Sequence, residues 1–130
     1  MKVLDANFLI DYLNGIAAAA EYLLAHENER FVLPAPAYAE ALVGEGNYPD
    51  GNVAQVASAL AWGTVYETDE ETCVVAGEIA DEIGPERPFL TGMDGLIAAT
   101  GRELDAPVVS ADSDLTHNVT KQVIDVEEYR

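Results

Sequence analysis

The sequence predicts an α/β fold in which a central parallel sheet carries helices on both faces. Three observations predict it. Short apolar runs of strand length alternate with helix-length segments from end to end of the chain. The run Phe31-Val32-Leu33 is apolar at successive positions, as suits a strand buried on both faces. Asp5 and Asp112 each fall just after such a run, where the crevice beyond the carboxyl ends of parallel strands holds ligands and chemistry. A chain of 130 residues is long enough to bury one core, so residues 1–130 are expected to form a single domain.

The elements follow in order. A strand ends at Asp5, and Asn7 to Leu13 continues as a helix with an apolar face until Asn14-Gly15 stops it. A second helix is expected from about Ile16 to His26. After the strand at Phe31, Pro34 and Pro36 punctuate the chain, with Pro36 near the first turn of the next helix. That helix runs through Ala37-Tyr38-Ala39-Glu40-Ala41-Leu42-Val43, and Gly44 and Gly46 are expected to end it. The turn-rich loop Asn47 to Asn52 separates it from an Ala/Val-rich helix between Val53 and Trp62, so the two form a helical hairpin. Thr64-Val65-Tyr66 is a short strand. Thr68-Asp69-Glu70-Glu71 reads as a capping box with Thr68 at the cap, opening a helix to about Ile83. Asp94 begins or caps the helix that reaches Leu104. Val108-Val109-Ser110 and Val123-Ile124-Asp125-Val126 are the last two strands.

Composition narrows the partners. The chain is 49% hydrophobic, as a globular protein is, yet it holds 24 acidic residues against 6 basic ones, a formal net charge of −18. Such a charge repels nucleic acid and anionic membranes and strains the compact state. The acids are scattered, only Lys2 and Lys121 are lysines, and the pattern reads as adaptation to molar salt, where the Debye length falls to roughly 3 Å. A strongly basic partner covering the acidic surface is the other reading, and both can hold. The single Cys73 reads as a buried helix residue with no disulfide or metal role. No run approaches the ~18 apolar residues of a membrane span, and the first residues meet a charge too early for a signal peptide. The expected compartment is the cytoplasm, with no membrane partner.

Four acids carry the functional question. Asp5 and Asp112 stand at strand ends, Asp94 at a helix start, and Glu40 on a helix among small and apolar residues. Taken singly, Asp5 and Asp94 could be helix caps, Asp112 and Asp114 turn residues, and Glu40 a solvated acid. Taken together they make a crevice of like charges, which must take up protons or a cation. Hard oxygen ligands without cysteine or paired histidine select Mg²⁺ or Mn²⁺ over zinc, and such a site does phosphoryl or phosphodiester chemistry.

These residues resemble a known family. Leu4-Asp5-Ala6-Asn7-Phe8-Leu9-Ile10-Asp11, the Tyr38-Ala39-Glu40-Ala41-Leu42 helix, the Asp94-Gly95-Leu96-Ile97-Ala98-Ala99 helix start and Val108 to Leu115 look like the four motifs of PIN-domain nucleases, with size and spacing similar to those of VapC-type toxins. The resemblance covers essentially the whole chain. It implies a PIN-like three-layer α/β/α sandwich and a metal-dependent endoribonuclease, the toxin of a type II toxin–antitoxin pair. Asp5, Asp94 and Asp112 would hold the metal, and Glu40 would complete the acidic cluster. Asn7 and Ser110 would orient those carboxylates, and Asp114 could help with a second metal. The implied reaction is in-line attack of metal-activated water on an RNA phosphodiester. The implied partners are an RNA substrate, a cognate antitoxin with basic residues directed at the acids, and a second copy of the chain.

The acidity stands against easy RNA binding, which leans on Lys and Arg; Arg87 and Arg102 are the basic residues that flank Asp94 in sequence. His26 and His117 read as surface histidines, with substrate contact the alternative for His117. Tyr38 and Trp62 read as core, with an interface the alternative for Trp62. A haloacid-dehalogenase-like phosphatase needs a second Asp where Asn7 stands, and a receiver domain needs paired acids after the first strand. A PIN-like RNA- or protein-binding module that does not cut, or an RNA-processing nuclease outside any toxin–antitoxin system, is the remaining alternative.

Overall fold

The computed structural model describes all residues, 1–130. Its elements are β1 (Lys2–Leu4), α1 (Ala6–Leu13), α2 (Ala17–Ala25), β2 (Phe31–Pro34), α3 (Ala35–Gly46), α4 (Val53–Ala59), β3 (Thr64–Tyr66), α5 (Glu70–Ile83), α6 (Gly92–Leu104), β4 (Val108–Ser110), α7 (Asn118–Val123) and β5 (Val126–Glu128). The five strands form one sheet in the order β3-β2-β1-β4-β5, and every pairing is parallel. β1 lies at the centre, with Val3 opposite Val32 on one side and Val108 on the other.

This order positions the site. The chain leaves β1 in one direction through β2 and β3, then crosses back to add β4 and β5 on the other side of β1. Right-handed crossovers running in opposite directions lay their helices on opposite faces of the sheet. Accordingly α1 packs against α2 and α3, whereas α5 packs against α6 and α7. The fold is thus an α/β/α sandwich, and its topological switch point lies between β1 and β4, where a crevice opens beyond the strand ends.

The core is built from the apolar strand runs and one side of each helix. Val3, Leu4, Leu33, Val108 and Val109 are fully enclosed, and Phe8, Leu9, Ile79, Ile97 and Leu115 pack on them. Phe8 meets Tyr129 and Tyr22 edge-on, with ring centroids at 4.7 and 5.8 Å. Its complete burial contributes about 1.5–3 kcal/mol relative to exposure. No single helix is long and apolar enough to cross a membrane.

Several local expectations shift. The cap of α5 is Asp69 rather than Thr68: its carboxylate accepts the Thr72 N–H at 2.9 Å, and Thr72 Oγ1 accepts the Asp69 N–H in return. A carboxylate takes the cap and displaces the box by one residue. The helix expected to begin at Asp94 begins at Gly92, with Thr91 as its cap. α3 starts at Ala35 and runs through Gly44 to Gly46, and α4 ends at Ala59, short of Trp62. Trp62 instead packs edge-on to Tyr12 and Phe31 and stays 37% exposed, while Tyr38 is half-buried against the core. The strand expected at Val123–Val126 is the end of α7 followed by β5 two residues later. α7 is short and polar, so periodicity does not announce it; the Thr120 hydroxyl donating to the Asp114 carbonyl at 2.7 Å pins it. Cys73 is exposed on α5, not buried.

Candidate active site

One hydroxyl ties the switch point together. Asp5 follows β1 and is only 2% exposed. Its Oδ1 accepts the Phe8 N–H at 2.9 Å, capping α1, and its Oδ2 accepts the Ser110 hydroxyl from the end of β4. The same Ser110 oxygen accepts the Asp112 N–H at 2.9 Å. Asp112 then turns its own Oδ2 back onto the N–H groups of Asp114 and Leu115, each at 3.0 Å. The segment after β4 is therefore fixed by its own side chains, as Asx turns are, and that turn brings Asp114 into the cleft.

Asp94 arrives from the first turn of α6, its backbone N–H held by Thr91 Oγ1 at 3.1 Å, at the helix end that favours negative charge. Glu40 comes from α3, which touches α6. The resulting cleft, of about 280 Å³, is lined by Asp5, Asn7, Glu40, Asp94, Asp112 and Asp114, with Met93 and Ile97 among its apolar walls. All the acids singled out in the sequence thus meet in one place. Asn7 lies on the cleft with an exposed side chain, and the hydrogen bonds to Asp5 come from Ser110 and the Phe8 N–H, not from Asn7.

The electrostatics are those of an uncompensated acid cluster. Burial pushes the Asp5 carboxyl up to about 6; hydrogen bonds from Ser110 and Phe8 oppose this, and the negative Asp112 and Asp94 add to it. Asp94 is raised as well, first by burial and then by Asp112, with Thr91 opposing. None of the ion pairs in the fold involves a cleft acid.

A divalent cation fits this arrangement. Carboxylate oxygens of Asp94, Asp112 and Asp114 lie within 4.8 Å of one another, all three residues half-buried. The tightest trio therefore contains Asp114, where sequence reasoning placed Asp5 among the ligands and Asp114 behind them. Both Asp5 oxygens already accept hydrogen bonds, whereas Asp114 reaches the cleft only through the turn that Asp112 makes. Thr91, which holds the start of α6, was missed; its signal was a Thr three residues before Asp94.

Fold and cleft together define a class: a parallel α/β/α sandwich with a carboxylate cluster at its switch point. Residues 2–120 match the family model described as PIN domain, and the chain belongs to the PIN domain family. None of the curated protein sequences matches this chain. Among solved structures it is similar to FitAcB from Neisseria gonorrhoeae, with TM-score 0.80 and 20% identity over 99% of this chain and 98% of that one. It is similar also to a toxin–antitoxin complex from Klebsiella pneumoniae, at TM-score 0.77 and 17% identity over 100% of this chain and 98% of that one. VapBC2 from Rickettsia felis, solved with a DNA fragment from its promoter, matches at TM-score 0.77 and 17% identity over 98% and 97%. At these identities the likeness is one of fold.

Proposed function

We propose that this protein is a divalent-metal-dependent endoribonuclease and the toxin of a type II toxin–antitoxin pair. The observation that carries the reading is the convergence of Asp5, Glu40, Asp94, Asp112 and Asp114 on one cleft with no basic residue paired to them. The oxygen-only donor set favours Mg²⁺ or Mn²⁺, held by Asp94, Asp112 and Asp114, with Asp5 completing the negative field behind them. When bound, the cation supplies Lewis-acid chemistry, acidifying water and offsetting charge on the scissile phosphate.

The chain's own residues do the positioning. Ser110 locks Asp5 and the Asp112 backbone in one geometry, so the carboxylates do not spread apart under their mutual repulsion. Glu40 is exposed and has no ion-pair partner; its carboxylate is the group to accept a proton from the attacking water. The similar structures that are toxin–antitoxin complexes support an antitoxin as partner, and the −18 charge of this chain favours a basic one that would neutralise part of it. A second copy of the chain, a cytoplasmic setting rich in salt and an RNA substrate belong to the same proposal.

The test is cleavage of RNA by protein purified in high KCl, with Mg²⁺ or Mn²⁺, by wild type and Asp94→Asn. Loss of about hundredfold or more in the variant is expected. Equal activity in both, or none in either, would remove the nuclease assignment. Co-purification of a small basic protein tests the toxin reading separately.

A further inference from the structure

A second cleft, of about 340 Å³, adjoins the acidic one and shares Asp114 with it. Its remaining walls are Arg87, Pro88, Phe89, Ser113 and His117. Three of these are unusual for this surface.

The first is Arg87. Of the six Lys and Arg residues, Lys2, Arg102, Lys121 and Arg130 are each paired with a carboxylate. Arg87 and Arg30 are not, and Arg30 precedes β2 at the amino end of the sheet, away from the strand ends that form the site. In a chain so rich in acids, an exposed Arg that no acid has captured is free for an anion from outside, and its planar fork matches phosphate. The second is Phe89, 62% exposed at the cleft wall. The third is His117, whose Nδ1 accepts the Val119 N–H at 3.1 Å; that bond leaves the ring proton on Nε2 as a donor.

We propose that this cleft is a nucleotide subsite, holding the nucleotide next to the scissile phosphodiester with its base stacked on Phe89 and its phosphate on Arg87 and His117 Nε2–H. The inference rests on the reading of the acidic cleft as an RNA-cutting centre. The acidic cleft by itself repels a phosphodiester chain, so positive contact has to come from beside it, and Asp114 joins the two. An aromatic face takes a base only once the base is unstacked, so the substrate is single-stranded RNA. Stacking is not screened by salt as charge pairs are, which suits a protein of this acidity.

The experiment compares wild type with Arg87→Ala, Phe89→Leu and Phe89→Tyr, all at exposed positions. It measures Kd for a fluorescein-labelled RNA hexamer by anisotropy with CaCl₂, and KM and kcat for its cleavage with MgCl₂. Phe89→Leu and Arg87→Ala are each expected to raise Kd and KM about tenfold, with kcat within about threefold. Phe89→Tyr keeps the stacking face and stays within about twofold of wild type. The MgCl₂-induced rise in melting temperature is unchanged in all three. If wild type cuts the RNA but Kd and KM do not move in the variants, the subsite is wrong and the nuclease reading stands. If wild type binds through Phe89 and Arg87 but does not cut, the nucleotide contacts stand, while the nuclease reading and the placement beside a scissile phosphodiester fall. Absence of both binding and cleavage in wild type overturns the two together, and equal losses in Phe89→Leu and Phe89→Tyr overturn stacking.

Discussion

Replacing Asp5 by Asn separates a structural from an electrostatic role for the residue at the end of β1. Asn is as good a helix cap as Asp, so its side-chain oxygen still accepts the Phe8 N–H, and its amide can donate to Ser110, whose hydroxyl then turns around. What the change removes is charge. The carboxyl titrates at about 6 in the fold against an ordinary value of 3.8, chiefly because it is buried, with Asp112 and Asp94 adding repulsion. Between those two values the folded protein holds more protons than the unfolded chain, so this group's contribution to stability falls as pH rises through about 4 to about 6. At about 1.4 kcal/mol per unit, the ionised Asp5 costs the metal-free fold about 3 kcal/mol at neutral pH. Asp5→Asn is therefore expected to unfold later than wild type without metal, by up to about 10 °C, and to gain less from MgCl₂ because the field that attracts the cation is weaker. Thermal unfolding at pH 7.5 in constant KCl, with and without MgCl₂, reads both effects. A variant that melts below wild type while keeping the full MgCl₂ shift would refute the reasoning, since Asp5 would then be a structural cap alone.

The same linkage predicts that the metal-induced gain in stability of the wild type shrinks as pH falls from about 7 to about 5, because protons on Asp5 and Asp94 compete with the cation. Glu127, held low by Lys2 and Tyr22 despite its partial burial, costs stability only as pH falls below its ordinary value of 4.5, beneath this window, and the difference between wild type and Asp5→Asn cancels it. Raising KCl from about 0.1 to about 2 M is expected to raise the melting temperature steadily, as screening relieves a net charge of −18; a flat or falling profile would contradict this. Gly101→Ala should destabilise by about 1–3 kcal/mol, since the added Cβ would lie 2.7 Å from Val108 Cγ2 and 3.0 Å from the Ala106 carbonyl. Gly77→Ala, in open space on α5, should instead stabilise by about 0.5–1 kcal/mol, and denaturant unfolding of the pair checks both signs.

The sequence by itself determined the alternation of strands and helices, because apolar runs such as Phe31-Val32-Leu33 and caps such as Asp5 are local signals that each segment carries alone. It also marked the acids worth asking about, since strand ends and helix starts can be read without knowing what lies beside them. Local signals were least certain where two residues could serve equally: Asp69 took the cap that Thr68 could have held, and the polar α7 had no apolar period to show it.

Tertiary structure decided what the acids do to one another. That β4 pairs with β1, which no spacing states, is what lets Ser110 reach Asp5 across 105 positions of sequence. The Asx turn at Asp112 decided that Asp114 joins Asp94 and Asp112 in the tight trio, with Asp5 buried in the wall of the same cleft. It also set Arg87, Phe89 and His117 around a neighbouring cleft. A helix cap depends on three or four consecutive residues, whereas a metal cage or a substrate cleft depends on distances that only the closed sheet sets.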